Sequence, residues 1–205
     1  MKQRRSFMYI ASFLALTIPT PGRFVFGFTL VLELCILEVL GILLNSLVSK
    51  LKFNEIRTYF VMLFMISITL LYRQILVLTY TEIALDLGFL LYLPPVSIFL
   101  THTLFTDFDE PLAVRMKSNI ISTLIFSLMI LSFFLFRDIA GYGTFTFFGK
   151  NHRIFEKILL NPEKVGIFTF FASISGALVL TGLVIFMIMF LRNKFRIING
   201  KGGVK

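Results

Sequence analysis

Five stretches of the chain are too long and too apolar to serve as elements of a water-soluble fold. Phe24–Val48 is interrupted only by Glu33, Glu38 and Asn45, and Thr58–Thr79 only by Arg73 and Gln74. Leu87–Phe105 contains the Pro94-Pro95 pair, while Asn119–Phe136 and Gly166–Leu191 carry no charge. A bilayer core of about 30 Å is crossed by about 20 apolar residues in helical form. A sixth stretch, Ser6–Ile18, is shorter and runs into Pro19-Thr20-Pro21-Gly22. Hydrophobic residues make up 57% of the 205 positions and charged residues 15%, and a soluble fold of this length has no interior large enough to hide that surface. The same richness excludes a disordered chain. A single Cys excludes an internal disulfide framework and a thiolate zinc cluster. The expected fold is an all-α integral membrane protein of six transmembrane helices, with the first and fourth short or broken, forming one domain over residues 1–205.

Lys2, Arg4 and Arg5 ahead of Ser6–Ile18 give the first stretch the outline of a signal peptide. No small-x-small cleavage site precedes Gly22 and a further apolar helix follows almost at once, so an uncleaved first helix is expected. Orientation follows from Lys and Arg in alternate loops. The side holding Lys2, Lys50, Lys52, Arg57, Arg115, Lys117 and the C-terminal residues 193–205 carries 13, against 7 on the side of Arg23, Arg137 and Lys150. This places both termini in the cytoplasm and the chain in the inner (cytoplasmic) membrane. The basic tail, 193–205, then contributes to a net charge of +9 that serves lipid headgroups; a nucleic-acid partner is not expected. In the long loop after Arg137, Ile154, Phe155, Ile158 and Leu159 share one helical face and Asn161-Pro162 ends the segment. A short helix is expected there, lying in the outer interface or packed as a loop helix.

The two short spans resemble each other. Phe13-Leu14-Ala15-Leu16-Thr17-Ile18-Pro19 matches Phe89-Leu90-Leu91-Tyr92-Leu93-Pro94, each closes on a proline pair (Pro19 and Pro21; Pro94 and Pro95), and each is followed by two further spans. The pattern is three helices plus three, over about 1–80 and 83–192. An odd number of spans per copy inverts the second copy in the bilayer, and paired broken helices in such repeats mark a site near the midplane. Pro19, Pro21, Pro94 and Pro95 are therefore midplane candidates, because a proline stops or kinks a helix and frees carbonyls that must find partners. The plainer alternative is ordinary proline kinks in a Leu- and Phe-rich chain.

Three ionisable groups fall inside spans. Counting about 1.5 Å per residue from the span centres puts Glu33 and Arg73 both in the outer half and Glu38 in the inner half. A Glu33–Arg73 ion pair is expected, leaving Glu38 protonated or facing a polar cavity, with Asn45 two turns along its face. A functional Glu38 and one that serves packing or subunit contact both remain open. Cys35 reads as a small apolar filler. His102 and His152 have no companion at ligand spacing, so no metal site is expected. No nucleophile–base constellation, phosphate loop or dinucleotide-binding glycine pattern is present, and Gly200-Lys201-Gly202-Gly203 is a loose tail.

Four stretches resemble the membrane subunits of the Rnf/Nqr ion-translocating electron-transport complexes, most closely the E-subunit type of Rnf and the equivalent D-subunit type of Nqr. Glu55-Ile56-Arg57 resembles the approach to that family's third helix. Leu87-Gly88-Phe89 through Tyr92-Leu93-Pro94 resembles its broken fourth helix. Arg137-Asp138-Ile139-Ala140-Gly141-Tyr142-Gly143-Thr144-Phe145 resembles its Arg-acid-hydrophobic-x-Gly-x-Gly-Thr-hydrophobic loop. Gly176-Ala177-Leu178-Val179 with Gly182-Leu183 resembles the start of its last helix. The resemblance implies the inverted three-plus-three scaffold, a homologous six-helix partner and further subunits. It marks Arg137, Asp138, Gly141, Gly143 and Thr144 as site residues.

The resemblance also implies a [2Fe–2S] cluster held by one Cys from the first and one from the fourth broken helix of each paired subunit. In this chain those positions fall near Phe13-Leu14 and between Ser97 and Leu100, and neither holds Cys. No iron–sulfur cofactor is therefore expected on this chain. The expected function is a membrane subunit of an Rnf/Nqr-type ion-translocating complex, without its own cluster ligands and at most part of an enzyme that acts as a whole. The alternatives are a non-redox transporter and a structural or assembly subunit on the same scaffold.

Overall fold

The structure, a computed structural model, describes residues 2–50, 56–101, 112–149, 153–160 and 168–200. In chain order the elements are α1 (Lys2–Thr17), α2 (Phe24–Lys50), α3 (Arg57–Thr79), α4 (Thr81–Leu87), a 3-10 turn over Gly88–Tyr92, α5 (Leu93–Thr101), α6 (Leu112–Arg137), a π turn over Asp138–Tyr142, strands β1 (Thr144–Phe148) and β2 (Ile154–Ile158), a 3-10 turn over Phe168–Ala172, and α7 (Ile174–Gly200). The chain is mostly helical. Four helical stretches are long and apolar enough to cross a membrane: Phe24–Val48, Arg57–Thr79, Thr81–Thr101 and Met116–Tyr142. Met8–Thr17 and Ile174–Met187 are shorter apolar helices.

The bilayer is the solvent that this surface fits. On α3, Leu63, Leu71, Ile75 and Leu78 are exposed, as are Leu124, Ile125 and Leu128 on α6 and Leu183, Phe186 and Phe190 on α7. Soluble monomers rarely carry apolar patches of that extent. Hydroxyls on these helices bond inward to their own backbone: Ser67 to Leu63, Thr79 to Ile75, Ser122 to Ser118 and Ser132 to Leu128. That arrangement satisfies these four hydroxyls without an outside partner. These features mark a multi-pass membrane protein.

α2 is the central helix and packs on α6, α3, α5 and β1. One core joins Phe13, Leu34, Leu37, Val61, Met65 and Phe134. A second joins Val25, Leu30, Leu76, Ile83, Leu87 and Leu91 at the other end of the bundle. α1 packs on α5 and α6, and α5 packs on α1 and α2.

The chain departs from an all-α fold in its long loop. Thr144–Phe148 and Ile154–Ile158 pair antiparallel, with Thr144 opposite Ile158 and Phe148 opposite Ile154. The helix expected over Ile154–Leu159 is therefore a strand. Its apolar residues fit a helical face, but Thr144-Phe145-Thr146-Phe147 alternates β-branched and aromatic side chains and supplies the ladder that wins. Asn161 and Pro162 lie outside the described residues. The hairpin covers one end of the bundle: Arg23 pairs with Glu156, Ile154 N donates to Glu82 Oε2 at 3.0 Å, and the tilted rings of Tyr80 and Phe148 meet with centroids 4.8 Å apart.

The proline pairs do opposite things. α1 ends at Thr17, so Pro19 and Pro21 follow a helix end, whereas Pro94 and Pro95 lie in the first turn of α5. There the missing N–H groups cost nothing, because the first turn's donors have no intrahelical partner. The break in the fourth span lies upstream at Gly88, whose φ of 43° is reserved for glycine. α7 runs on through Gly200, so the last span and the start of the basic tail are one helix.

Candidate functional site

The two short helices meet at a pair of serines. Ser12 on α1 and Ser97 on α5 are fully buried, their hydroxyls are in contact, and Ser12 Oγ also donates to the Ser97 carbonyl at 3.3 Å. Beside them is a cavity of about 10 Å³ whose wall includes Tyr9, Glu38, Ser97, Thr101 and Thr123. That volume holds about one water molecule. Glu38, 2% exposed, thus lies on a small cavity of mixed lining, closed also by Leu34, Ile98 and Phe126, at the crossing of α1, α2, α5 and α6.

A second cluster lies at the hairpin end. Arg137, the last residue of α6, is fully buried, and its guanidinium spends its donors on backbone carbonyls. Nη1 donates to Thr17 O at 3.0 Å and Thr20 O at 2.9 Å; Nε donates to Phe171 O at 3.2 Å; Nη2 donates to Ala172 O at 3.1 Å and Ser173 O at 3.4 Å. The rings of Phe133 and Phe134 lie 5.9 Å from its Cζ. The carbonyls freed where α1 ends at the Pro19-Thr20-Pro21 turn are therefore satisfied by one side chain. Asp138, also fully buried, does the converse job for donors. Its Oδ2 accepts from Phe24 N at 3.1 Å, Thr146 N at 2.7 Å and Thr146 Oγ1 at 2.7 Å, and its Oδ1 accepts from Thr144 Oγ1 at 3.1 Å. The Phe24 contact caps the N-terminus of α2 with negative charge.

The remaining members of the motif serve the same clamp. Gly143 closes the π turn with φ of 68°, and a Cβ on Gly141 would lie 2.8 Å from Ala172 N. All five residues from Arg137 to Thr144 singled out by resemblance join α6 to the α1–α2 turn, the hairpin and the approach to α7. Pro19 and Pro21 belong to this clamp. Pro94 and Pro95 lie three and two positions before Ser97 at the helix crossing.

The Glu33–Arg73 ion pair does not form. Glu33 is fully buried and neither carboxyl oxygen has a hydrogen-bond partner among the described residues, while Arg73 is exposed on the outside of α3. The α3 residues that face inward are Val61, Met65, Thr69 and Leu76. At 100° per residue, Arg73 lies about 80° from the middle of that face. Asn45 is engaged by Arg57, whose Nε donates to Asn45 Oδ1 at 2.6 Å. Cys35 Sγ lies 3.7 Å from Ser127 Oγ on α6. Glu55, His102, His152 and Gly166 lie outside the described residues. No group of three or more potential ligands gathers for a metal ion among the described residues.

Ser12 and Ser97 carried no signal in the sequence, being ordinary small polar residues. The anchoring partners of Arg137 are backbone carbonyls, which no sequence pattern marks. No protein-family model matches the chain, and no curated protein or solved structure matches it significantly.

Proposed function

We propose that the chain is a membrane subunit of an Rnf/Nqr-type ion-translocating electron-transport complex, one without iron–sulfur ligands of its own. The observation that carries this reading is the meeting of the first and fourth short helices at Ser12 and Ser97. It supports an inverted three-plus-three scaffold, as does the reciprocal packing of α1 on α6 and α5 on α2. The Arg137–Thr144 motif supports it further, because every residue singled out there takes part in one buried clamp.

The side chains that meet at the crossing are hydroxyls rather than thiolates, which supports a subunit without cluster ligands of its own. In this reading the subunit positions a homologous six-helix partner in the inner membrane, with both termini cytoplasmic and no catalysis of its own.

Purification of the tagged full-length chain from its own membranes in mild detergent tests the proposal. A second multi-span subunit should co-purify, and the isolated chain should contain no iron and give no cluster signal in electron paramagnetic resonance. A lone monomer without cross-linked partners, or a cluster on the isolated chain, contradicts it. A second reading, a non-redox transporter, is favoured by the placement of the Glu38 carboxyl on a small cavity inside the bundle. Solute uptake into vesicles containing the chain alone, lost in Glu38→Gln, would establish that reading instead.

A further inference from the structure

Glu33 is completely buried in the middle of α2, and neither carboxyl oxygen has a hydrogen-bond partner among the described residues. The hydroxyl of Thr69 on α3 lies beside it. One turn further along α3, the Tyr72 hydroxyl donates to Thr29 O at 3.0 Å. Thr69 differs from the other hydroxyl residues on these helices. Thr17, Thr20, Thr29, Ser67 and Thr79 each return their hydroxyl to the carbonyl four residues back. Thr69, fully buried, has no partner of that kind. Two polar groups that should each be satisfied therefore face one another across the α2–α3 interface.

An ionised carboxylate in that place is strongly disfavoured, since no cation or donor array compensates its lost hydration. Arg73 is exposed on the outside of α3. α5 and β1 carry no titratable side chain, and those of α6 are Arg115 and Lys117 near its start and Arg137 at its end. On α3, Arg57 donates to Asn45, Tyr59 is exposed, and Tyr72 donates its hydroxyl to Thr29 O. A hard metal cation gathers about six oxygens, whereas this place offers two carboxyl oxygens and one free hydroxyl. A proton needs only one oxygen, and the neutral carboxyl then both donates to and accepts from a hydroxyl such as that of Thr69.

We propose that Glu33 is a membrane-embedded proton-binding site, built with Thr69 across the α2–α3 interface and distinct from the Glu38 cavity. The proposal does not rest on membership of any electron-transport complex, and its test needs no partner subunit.

The test uses the full-length chain reconstituted in lipid vesicles. Infrared difference spectra between wild type and Glu33→Gln should show one protonated-carboxyl band lost in the variant and retained in Glu38→Gln. The band should decline as pH rises. The apolar reagent N,N′-dicyclohexylcarbodiimide gives an independent readout on the unmodified chain. A protonated carboxyl adds across one C=N bond of the reagent: its oxygen bonds to the central carbon, its proton passes to nitrogen, and nothing leaves. Peptide mapping should place that label on Glu33, weakening as pH rises and indifferent to sodium. A protonated-carboxyl band unchanged in Glu33→Gln overturns the proposal, as does a label on Glu33 that sodium suppresses, which would make the site one for a metal cation.

Discussion

The guanidinium of Arg137 donates to the carbonyl of Thr20 at 2.9 Å, across 117 residues of chain. One side chain at the end of α6 therefore holds the turn that ends α1, and through Phe171, Ala172 and Ser173 it also holds the approach to α7. Arg137→Met keeps the apolar stem and leaves those carbonyls without their donor at a fully buried position. Loss of charged hydrogen bonds of this kind costs about 3 kcal/mol or more. Chemical unfolding in detergent should show a loss of that size, and Arg137→Lys should recover only part of it, because an ammonium cannot fork to carbonyls on two segments.

Asp138 holds the same turn from the other side, through Phe24 N. Asp138→Ala strands the donors of Phe24 and Thr146 and should cost about 2–3 kcal/mol. Because both residues pin the 17–24 segment, the second substitution finds the turn already loosened. The double variant should fall short of the sum of the singles by about 0.5–3 kcal/mol. Strict additivity would show that the two residues act on separate parts of the structure.

The Arg23–Glu156 ion pair ties the hairpin to the start of α2, yet both side chains are substantially exposed. Solvent and salt screen such a pair. Glu156→Gln should change stability by less than about 1 kcal/mol, and that small effect should vanish at high salt. The contrast between this pair and the Arg137 clamp, measured in one unfolding series, separates an interfacial contact from a structural one.

Much of the bundle was legible because lipid-crossing helices are defined by length and composition, which the sequence states directly. The second span, Phe24–Val48, emerges in the structure with those bounds. Rotation about the helix axis was misjudged: Val61, Met65, Thr69 and Leu76 could have shown that Arg73 lies off the inward face. Glu33 and Glu38 are both buried despite lying on different faces because α3, α5 and α6 all pack on α2 and leave only a face with Leu32, Leu43 and Leu47 exposed, a fact of tertiary packing rather than of periodicity. The hairpin was missed because Ile154–Leu159 fits both a helical and an alternating pattern, and its partner strand decides between them. The two proline pairs take different places in the structure, Pro19 and Pro21 after the end of α1 and Pro94 and Pro95 in the first turn of α5. Which side of each proline pair carries the helix was not legible, since proline suits the first turn of a helix as well as the residue after its end.

The contact between Ser12 and Ser97 is the relationship on which the account of the scaffold turns. Its most direct test is the variant Ser12→Cys with Ser97→Cys, in a background where Cys35 is replaced by Ser, oxidised in native membranes. Hydroxyls in contact place the two side chains within the reach of a disulfide. The account predicts an intramolecular bridge, seen by mass spectrometry as a crosslink between the α1 and α5 peptides and absent from either single variant. Two free thiols in the inserted, folded chain under the same oxidant would contradict it.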